Sequence, residues 1–213
     1  MVVELVSFTM IPVAVCDMAA AQCTGKKYTP AHKALKSAIE SGHESVLEHA
    51  SFTFWILGVS RVTLAQLTRH RLASYSVLSQ RYVDMEGRNF VIPDSISSEP
   101  GLRLKFRQIC EESKEFYKQA MDAGVPKEDA RYIIPQGIET DLVMTMNARE
   151  LRHFFALRCC NRARWEIRKL ADEMFSICRN EAPELFTDCG PGCVTGQCKE
   201  AHPCGNPRSK DEW

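Results

Sequence analysis

The chain has 213 residues, with 27 basic and 27 acidic side chains and a pI near 7.0. This length is enough for one domain with a sizeable hydrophobic core, with or without a small appendage. The balanced charge argues against a protein that attracts nucleic acid or an anionic membrane over long range.

The first third of the chain predicts two strands and a helix between them. The apolar run over residues 6–15 predicts a buried strand. A signal peptide would have a basic region before such a run, whereas Glu4 precedes this one. Residues 29–41 have apolar side chains at helical spacing, with Thr29 as the predicted N-cap. Residues 51–59 are apolar and aromatic and predict a second buried strand.

Residues 49–83 predict a local anion site, because they contain four arginines but no Lys, Asp or Glu. Guanidinium groups and hydroxyls bind phosphate through directional, charge-assisted hydrogen bonds. The run RHR at 69–71 follows a short predicted helix, where basic residues could equally cap the helix end. A loop then leads into a predicted strand that has Ser79 and Arg81 on one face, which predicts a small phosphate cradle.

The middle of the chain predicts packing elements. Residues 89–101 form a Pro- and Ser-bearing connection, and residues 102–123 predict an amphipathic helix. Its apolar stripe consists of Leu102, Phe106, Ile109, Phe116 and Ala120. Pro126 opens a short helix to residue 134, in which Glu128 and Arg131 have the spacing of a surface ion pair.

Residues 140–158 predict a strand followed by a helix with Asn147 as its N-cap. Arg158 lies on the apolar stripe of that helix, so its guanidinium either snorkels at the helix end or pairs with another group. Arg149 and His153 share another face of the same helix.

The predicted element order indicates an α/β or α+β fold, and the last long helix spans residues 162–179. Composition changes near residue 189, so we predict a domain over residues 1–188 and a Cys-rich tail over residues 189–213. Ten cysteines without an export signal predict reduced thiols in the cytoplasm.

Two segments offer metal ligands. The first has two His–Glu pairs, for which a role as helix-end and turn polar groups is favoured: His43, Glu44, Glu48 and His49. The second is the tail, where free thiols or an ill-ordered segment are favoured over a four-thiolate zinc site formed by Cys189, Cys193, Cys198 and Cys204.

Three motifs together resemble one enzyme family. The first motif resembles the signature of flavin-dependent thymidylate synthases: it consists of RHR at residues 69–71, seven further residues, Ser79, and Arg81 two positions later. GHESVLEHASFTF upstream, and NARELRHFFALR and ARWEIR downstream, resemble the same family in order and spacing. The resemblance covers residues 40–187. Where many members have Asn and Glu, this chain has Ser76 and Val77, and Arg164 stands where Gln is usual.

The resemblance implies a homotetramer with a central mixed or antiparallel sheet flanked by helices, in which flavin and nucleotide sites are assembled from several chains. It implies reductive methylation of dUMP to dTMP, with methylenetetrahydrofolate as one-carbon donor and NADPH-reduced FAD as hydride source. Against dUMP it places Gln66, Ser79, Arg81, Glu128, Arg131 and Arg158. Against FAD it places His43, Ser45, Arg69, His70, Arg71, Asn147, Arg149 and His153. The catalytic roles fall to Arg158, on the pyrimidine, and to Ser79, and no cysteine nucleophile is needed.

Two other functions fit the same residues. One is a non-catalytic nucleotide- or nucleic-acid-binding protein, which would lack flavin and bind polymers with a strong salt dependence. The other is a related flavoenzyme that acts on a different pyrimidine nucleotide, which Ser76 and Val77 suggest.

Overall fold

An antiparallel sheet of four strands organises the fold, as seen in a computed structural model that describes residues 1–196, 198, 200–209 and 213. The strands are β1 Val2–Phe8, β2 Ser51–Ser60, β3 Ala73–Val77 and β4 Glu139–Asn147. Their order in the sheet is β1-β2-β4-β3. In the two central strands buried and less buried side chains mostly alternate, because successive residues of a strand point to opposite faces.

The remaining elements are helical, so the predicted mixed α/β class is confirmed. The α-helices are α1 Pro12–Cys23, α2 Lys33–Glu40, α3 Arg61–Leu67, α4 Asp94–Ser97, α5 Pro100–Asp122, α6 Lys127–Ala130, α7 Ala148–Arg158, α8 Trp165–Glu181, α9 Pro183–Phe186 and α10 Gly192–Thr195. Two 3₁₀ helices span Glu44–His49 and Arg131–Ile133. Within the described residues, none of these helices has both the length and the apolar character that a membrane crossing requires.

The chain forms two compact units. The first unit consists of Met1–Val2, Ile56–Leu67 and Ser76–Leu142. Its core packs Met85 of a turn and Tyr117 of α5 against Ala130, Ile134 and Ile138. The second unit consists of Val3–Trp55, Thr68–Tyr75 and Val143–Trp213.

A chain of aromatic rings forms much of the core of the second unit. Phe155 of α7 contacts Phe154, Phe175 and Phe186 edge to face, with ring centroids 5.7, 5.3 and 5.9 Å away. Phe52 of β2 contacts Phe186 at 5.5 Å. Edge-to-face contacts at these distances favour one mutual arrangement of the rings. They therefore fix α7, which carries several of the candidate site residues.

The N-terminal prediction was wrong. The strand β1 ends at Phe8, and α1 begins at Pro12 inside the run that was predicted to be a strand. Proline suits a helix start, because its missing N–H is not needed there and its φ is already helical. The strand β1 is also an end strand of the sheet with half-exposed residues, and not a buried one.

The predicted helix over residues 29–41 forms, but later than expected. The helix α2 begins at Lys33, after His32 with a left-handed φ of 47°. The His32 N–H donates to the Thr29 carbonyl at 3.4 Å, so Thr29 begins a turn and does not cap the helix. The N–H of Leu35 is instead satisfied by the carboxylate of Asp17 on α1, at 2.7 Å.

Three further predictions are confirmed. The strand over residues 51–59 is β2, and it leads directly into α3. The helix over residues 102–123 is α5, and Asn147 caps α7 by accepting the Glu150 N–H at 2.8 Å. The apolar stripe predicted for α5 is nevertheless largely exposed, because the face that is buried carries Cys110, Ser113 and Tyr117.

Candidate active site

One group of candidate site residues lies in the turn that follows β3, in the first unit. The N–H groups of Tyr82 and Val83 both donate to the Ser79 carbonyl, at 3.2 and 3.0 Å. The Arg81 N–H donates to the Ser79 hydroxyl at 3.3 Å. The predicted strand face for Ser79 and Arg81 was therefore wrong. A turn brings them together instead, since a serine hydroxyl readily accepts from the backbone two residues ahead.

Two arginines of the first unit contact Glu128. Arg81 Nε donates to the Glu128 carboxylate at 2.9 Å, and Arg131 Nε donates to the Glu128 carbonyl at 3.0 Å. Burial lowers the pKa of Arg61, and the charge of Arg131 lowers it further. Gln66 lies half-buried on α3. Three guanidinium groups with one carboxylate leave an excess of positive charge, which suits a phosphate.

A cavity of about 830 Å³ in the second unit brings together three residues predicted to bind flavin. His43 directly precedes the first 3₁₀ helix, Ser45 lies within that helix, Arg149 lies in the first turn of α7, and all three line this cavity. The lining also includes three lysines, Lys26, Lys27 and Lys33, and two carboxylates, Asp17 and Glu44, so cations are in excess. A cavity of this size holds a cofactor-sized molecule, and its cations suit a pyrophosphate.

The two His–Glu pairs provide ion pairs at this cavity. The Glu44 carboxylate accepts from Arg152 Nε at 3.1 Å, and the Glu48 carboxylate pairs with Arg149. Both glutamates therefore contact arginines of α7 that lie 108 and 101 positions away in the chain, which the interpretation as helix-end and turn polar groups did not include.

A separate group of candidate site residues in the second unit is a buried imidazole held between a carboxylate and a guanidinium. Arg158 Nε donates to His70 Nε2 at 3.0 Å, and His70 Nδ1 lies 3.0 Å from Glu150 Oε1. His153 lies next to this cluster, with its ring centroid 5.8 Å from that of His70. Arg69 and Arg71 flank His70 in the chain and are exposed.

Burial dominates the electrostatics of this cluster. It lowers the pKa of His70, and the charges of Arg158 and His153 lower it further, although Glu150 opposes the change. It also lowers the pKa of Arg158, with a second contribution from Arg69. The geometry gives the charge state: Arg158 Nε carries a hydrogen and can only donate, so His70 Nε2 accepts and the imidazole is neutral in this arrangement.

Glu150 is the residue of this cluster that sequence reasoning missed. It stands three positions after the N-cap Asn147, where a glutamate usually serves the helix end. Its side chain points instead into the core, where it is 6 % exposed. The signal in the sequence was a glutamate directly before the buried Leu151 and three residues before His153, which is one helical turn.

The tail cysteines do not behave as one group. Cys189 is buried, with its thiol 3.9 Å from the Arg152 carbonyl, and burial raises its pKa to about 12. A separate cavity of about 650 Å³ is lined by Cys160 together with Cys193, Cys198 and Cys204. The four-thiolate zinc site stays a prediction, and Cys160 is an additional thiol that its sequence pattern did not include.

Within the described ranges, one set of three potential metal ligands lies close together, and it is His70, Glu150 and His153. A metal would need a free lone pair on an imidazole nitrogen. His70 has none to offer in this arrangement, since Nε2 accepts from Arg158 and Nδ1 faces a carboxylate. We therefore interpret the set as a hydrogen-bonded cluster.

Comparison with known proteins identifies the family. The model of the thymidylate synthase complementing protein family matches residues 4–184. A flavin-dependent thymidylate synthase of Geobacter sulfurreducens is 52 % identical over 168 residues, which cover 78 % of this chain and 72 % of the relative. One of Clostridium tetani is 44 % identical over 191 residues, covering 82 % and 77 %. One of Pyrococcus furiosus is 45 % identical over 177 residues, covering 79 % and 72 %. The chain therefore belongs to the thymidylate synthase complementing protein family, that of the flavin-dependent thymidylate synthases.

Proposed function

We propose that the chain methylates dUMP to dTMP in the cytoplasm, with methylenetetrahydrofolate as the one-carbon donor and NADPH as the source of reducing equivalents through FAD. The observation that carries the proposal is the family match over residues 4–184, which includes every candidate residue from His43 to Arg158. The anion site of the first unit and the cation-lined cavity of the second unit support it independently.

The guanidinium groups of the first unit would bind the nucleotide phosphate. Arg81 and Arg131 present planar forks that suit phosphate oxygens, and the Ser79 hydroxyl adds a donor next to them. Gln66 and Glu128 would complete the nucleotide site by resemblance. Both Arg81 and Glu128 are about half-exposed, so their ion pair is weak enough to rearrange when a phosphate arrives.

Arg158, a residue of the second unit, would hold the pyrimidine of dUMP, at a site that the resemblance implies is assembled from several chains. A rigid guanidinium stabilises the negative charge that spreads over a uracil ring during substitution at C5. Ser79 is the second residue proposed to take part in catalysis.

The flavin residues of the second unit fit FAD by their charge and by the size of the cavity that His43, Ser45 and Arg149 line. Arg149, with the lysines of the wall, would bind the pyrophosphate. Arg69, His70, Arg71, Asn147 and His153 complete the proposed flavin set. Bound FAD would supply the hydride chemistry of the reaction.

We also propose a homotetramer, supported by the exposed apolar stripe of α5. Leu102, Ile109 and Phe116 of this stripe are 58, 48 and 55 % exposed, and their spacing of seven residues places them on one face of the helix. An exposed row of large apolar side chains on one helix face is typical of a surface that contacts another protein. Light scattering of the purified protein is expected to give four times the chain mass of 24.1 kDa, and a monomer would contradict the proposal.

The test of the activity is release of the C5 hydrogen of dUMP. We expect the purified protein to show flavin absorbance, or to acquire it with added FAD, and to release C5 tritium from dUMP only when methylenetetrahydrofolate and NADPH are both present. Parallel assays with UMP and dCMP test the alternative of another pyrimidine substrate. A colourless protein that stays inactive with all components added would contradict the proposal.

A further inference from the structure

We propose that Glu150 positions Arg158 through His70. Glu150 selects the tautomer of His70 that accepts a hydrogen bond from Arg158, and this bond orients the guanidinium. The proposal extends the proposed function, on which it rests for the role of Arg158 at the pyrimidine. The contacts within the cluster are independent of that role.

The tautomer follows from the chemistry of the two neighbours. An arginine Nε carries a hydrogen at every relevant pH, so it can only donate, and His70 Nε2 must therefore accept at 3.0 Å. A neutral imidazole then carries its proton on Nδ1, which faces Glu150 Oε1 at 3.0 Å. The carboxylate is an acceptor for that N–H. A neutral imidazole protonated on Nε2 would set two N–H groups against each other at Arg158.

The three groups are held in place by packing. His70 is 4 % exposed and Glu150 is 6 % exposed, so water does not compete for these bonds. The Tyr75 hydroxyl donates to the His70 carbonyl at 2.9 Å, and the Phe154 ring meets the imidazole edge to face at 4.9 Å. The imidazole therefore has little freedom to rotate.

His70 connects the two ends of α7. Glu150 lies in the first turn of this helix and Arg158 is its last residue. Eight residues correspond to about 12 Å along a helix axis. Direct contact between the two side chains over that distance would need both to be extended along the helix, whereas His70 contacts each of them.

Protonation of His70 would break this arrangement. An imidazolium has an N–H on both nitrogens, so Nε2 could no longer accept from Arg158, and two cations would adjoin. Burial, Arg158 and His153 keep the pKa of His70 below its ordinary value, while Glu150 raises it. The neutral form that orients Arg158 therefore exists above the His70 pKa and is lost as the pH falls through it.

Two substitutions separate the charge of Glu150 from its role as an acceptor. Glu150→Gln keeps a carbonyl oxygen for the Nδ1–H but removes the charge that raises the His70 pKa. We expect turnover near that of the parent protein at pH 8. In the plot of turnover against pH, the fall on the acid side (the acid limb) should move to lower pH by about 1 unit. Glu150→Leu removes the acceptor. We expect turnover with dUMP to fall about 100-fold, with FAD content unchanged, because a misplaced catalytic group loses rate steeply.

The matched control is Asp172→Asn. Asp172 is a partly buried carboxylate of the same unit that pairs with an arginine, Arg208, at 2.6 Å. Its loss is expected to leave the pH profile unchanged. An equal shift of the acid limb in this variant would show that the effect reflects a general loss of ion pairs and would overturn the proposal.

The decisive measurement does not depend on activity. Nitrogen NMR of the histidine-labelled protein at pH 8, without substrate, identifies the His70 tautomer, with His70→Asn for assignment. We expect a neutral ring with the proton on Nδ1. A ring protonated on Nε2, or on both nitrogens, would overturn the proposal even if Glu150→Leu does not fold. Absence of turnover in the parent protein with the Nδ1 tautomer present would count against the proposed function and not against this cluster.

Discussion

Replacement of Arg81 by alanine tests the phosphate cradle most directly. In the structure Arg81 donates to Glu128 at 2.9 Å, and the two side chains are 56 and 49 % exposed. An exposed pair of this kind contributes about 0 to 1 kcal/mol, so Arg81→Ala should hardly change the free energy of unfolding. Loss of a charge-assisted bond to a phosphate costs about 1.5 to 3 kcal/mol. At about 1.4 kcal/mol for each factor of ten, dUMP should bind about 10- to 150-fold more weakly.

The assay compares two ligands that differ by the phosphate. Titration calorimetry of Arg81→Ala should show this whole 10- to 150-fold decrease in affinity for dUMP, estimated at about 1.4 kcal/mol per factor of ten. It should show almost no decrease for deoxyuridine, which lacks the phosphate that Arg81 is proposed to bind. FAD binding should not change. Arg103→Ala, which removes an exposed arginine of α5 in the same unit, is the matched control and should leave dUMP binding intact.

Two results would refute the reasoning. An unchanged dUMP affinity with loss of flavin would mean that the turn after β3 belongs to the other ligand. An equal loss of affinity for dUMP and deoxyuridine would mean that Arg81 acts on the shape of the site and not on the phosphate.

Three further predictions concern the second unit. Arg158→Ala should abolish or severely reduce methylation while FAD stays bound, and Arg158→Lys should not restore methylation, because a lysine lacks the planar fork. Turnover assays measure methylation, and the change in flavin absorbance on addition of dUMP measures nucleotide binding. Near-normal values of both in Arg158→Ala would contradict the assignment. Arg149→Ala should weaken FAD binding at least about tenfold, as expected for loss of a charge-assisted bond. Flavin content after gel filtration measures this, and an unchanged content would contradict the prediction. Trp213→Ala should lower the free energy of unfolding by about 2 kcal/mol, less than for a fully buried tryptophan, since the ring stacks on Phe175 at 4.3 Å and donates to the Cys189 carbonyl. Thermal unfolding measures this loss of stability. Turnover at 25 °C should persist in Trp213→Ala and in a protein that lacks residues 189–213. A truncated protein that folds and binds flavin but is inactive would contradict the prediction that the tail is dispensable for turnover.

Local patterns predicted those parts of the fold that depend on neighbours in the chain. The apolar spacing of α5, the aromatic run of β2 and the cap at Asn147 need only a few consecutive residues, and all three form. The N-terminal prediction failed where two local signals conflict. The run over residues 6–15 has strand-like composition, but Pro12 in its middle removes a backbone donor and begins a helix.

The candidate site was predictable in composition but not in its contacts. The four arginines of residues 49–83, with no acidic residue among them, predict an anion site from the sequence alone. The bond between Arg158 and His70 joins residues 88 positions apart, and that between His70 and Glu150 joins residues 80 positions apart. Spacing along one helix indicates which face a residue lies on, whereas its partner across the unit depends on the tertiary packing.

The attachment of α2 has a consequence for how a ligand enters the cavity of about 830 Å³ that this helix lines. The helix has eight residues, Leu35 is its buried side chain, and Asp17 of α1 accepts the Leu35 N–H at 2.7 Å. A helix of this length is marginal by itself. Its amides should therefore exchange with deuterium faster than those of β2 and β4, which are the two central strands of the sheet. This wall would then open in local fluctuations while the rest of the unit stays folded, so a bulky cofactor could be exchanged without global unfolding.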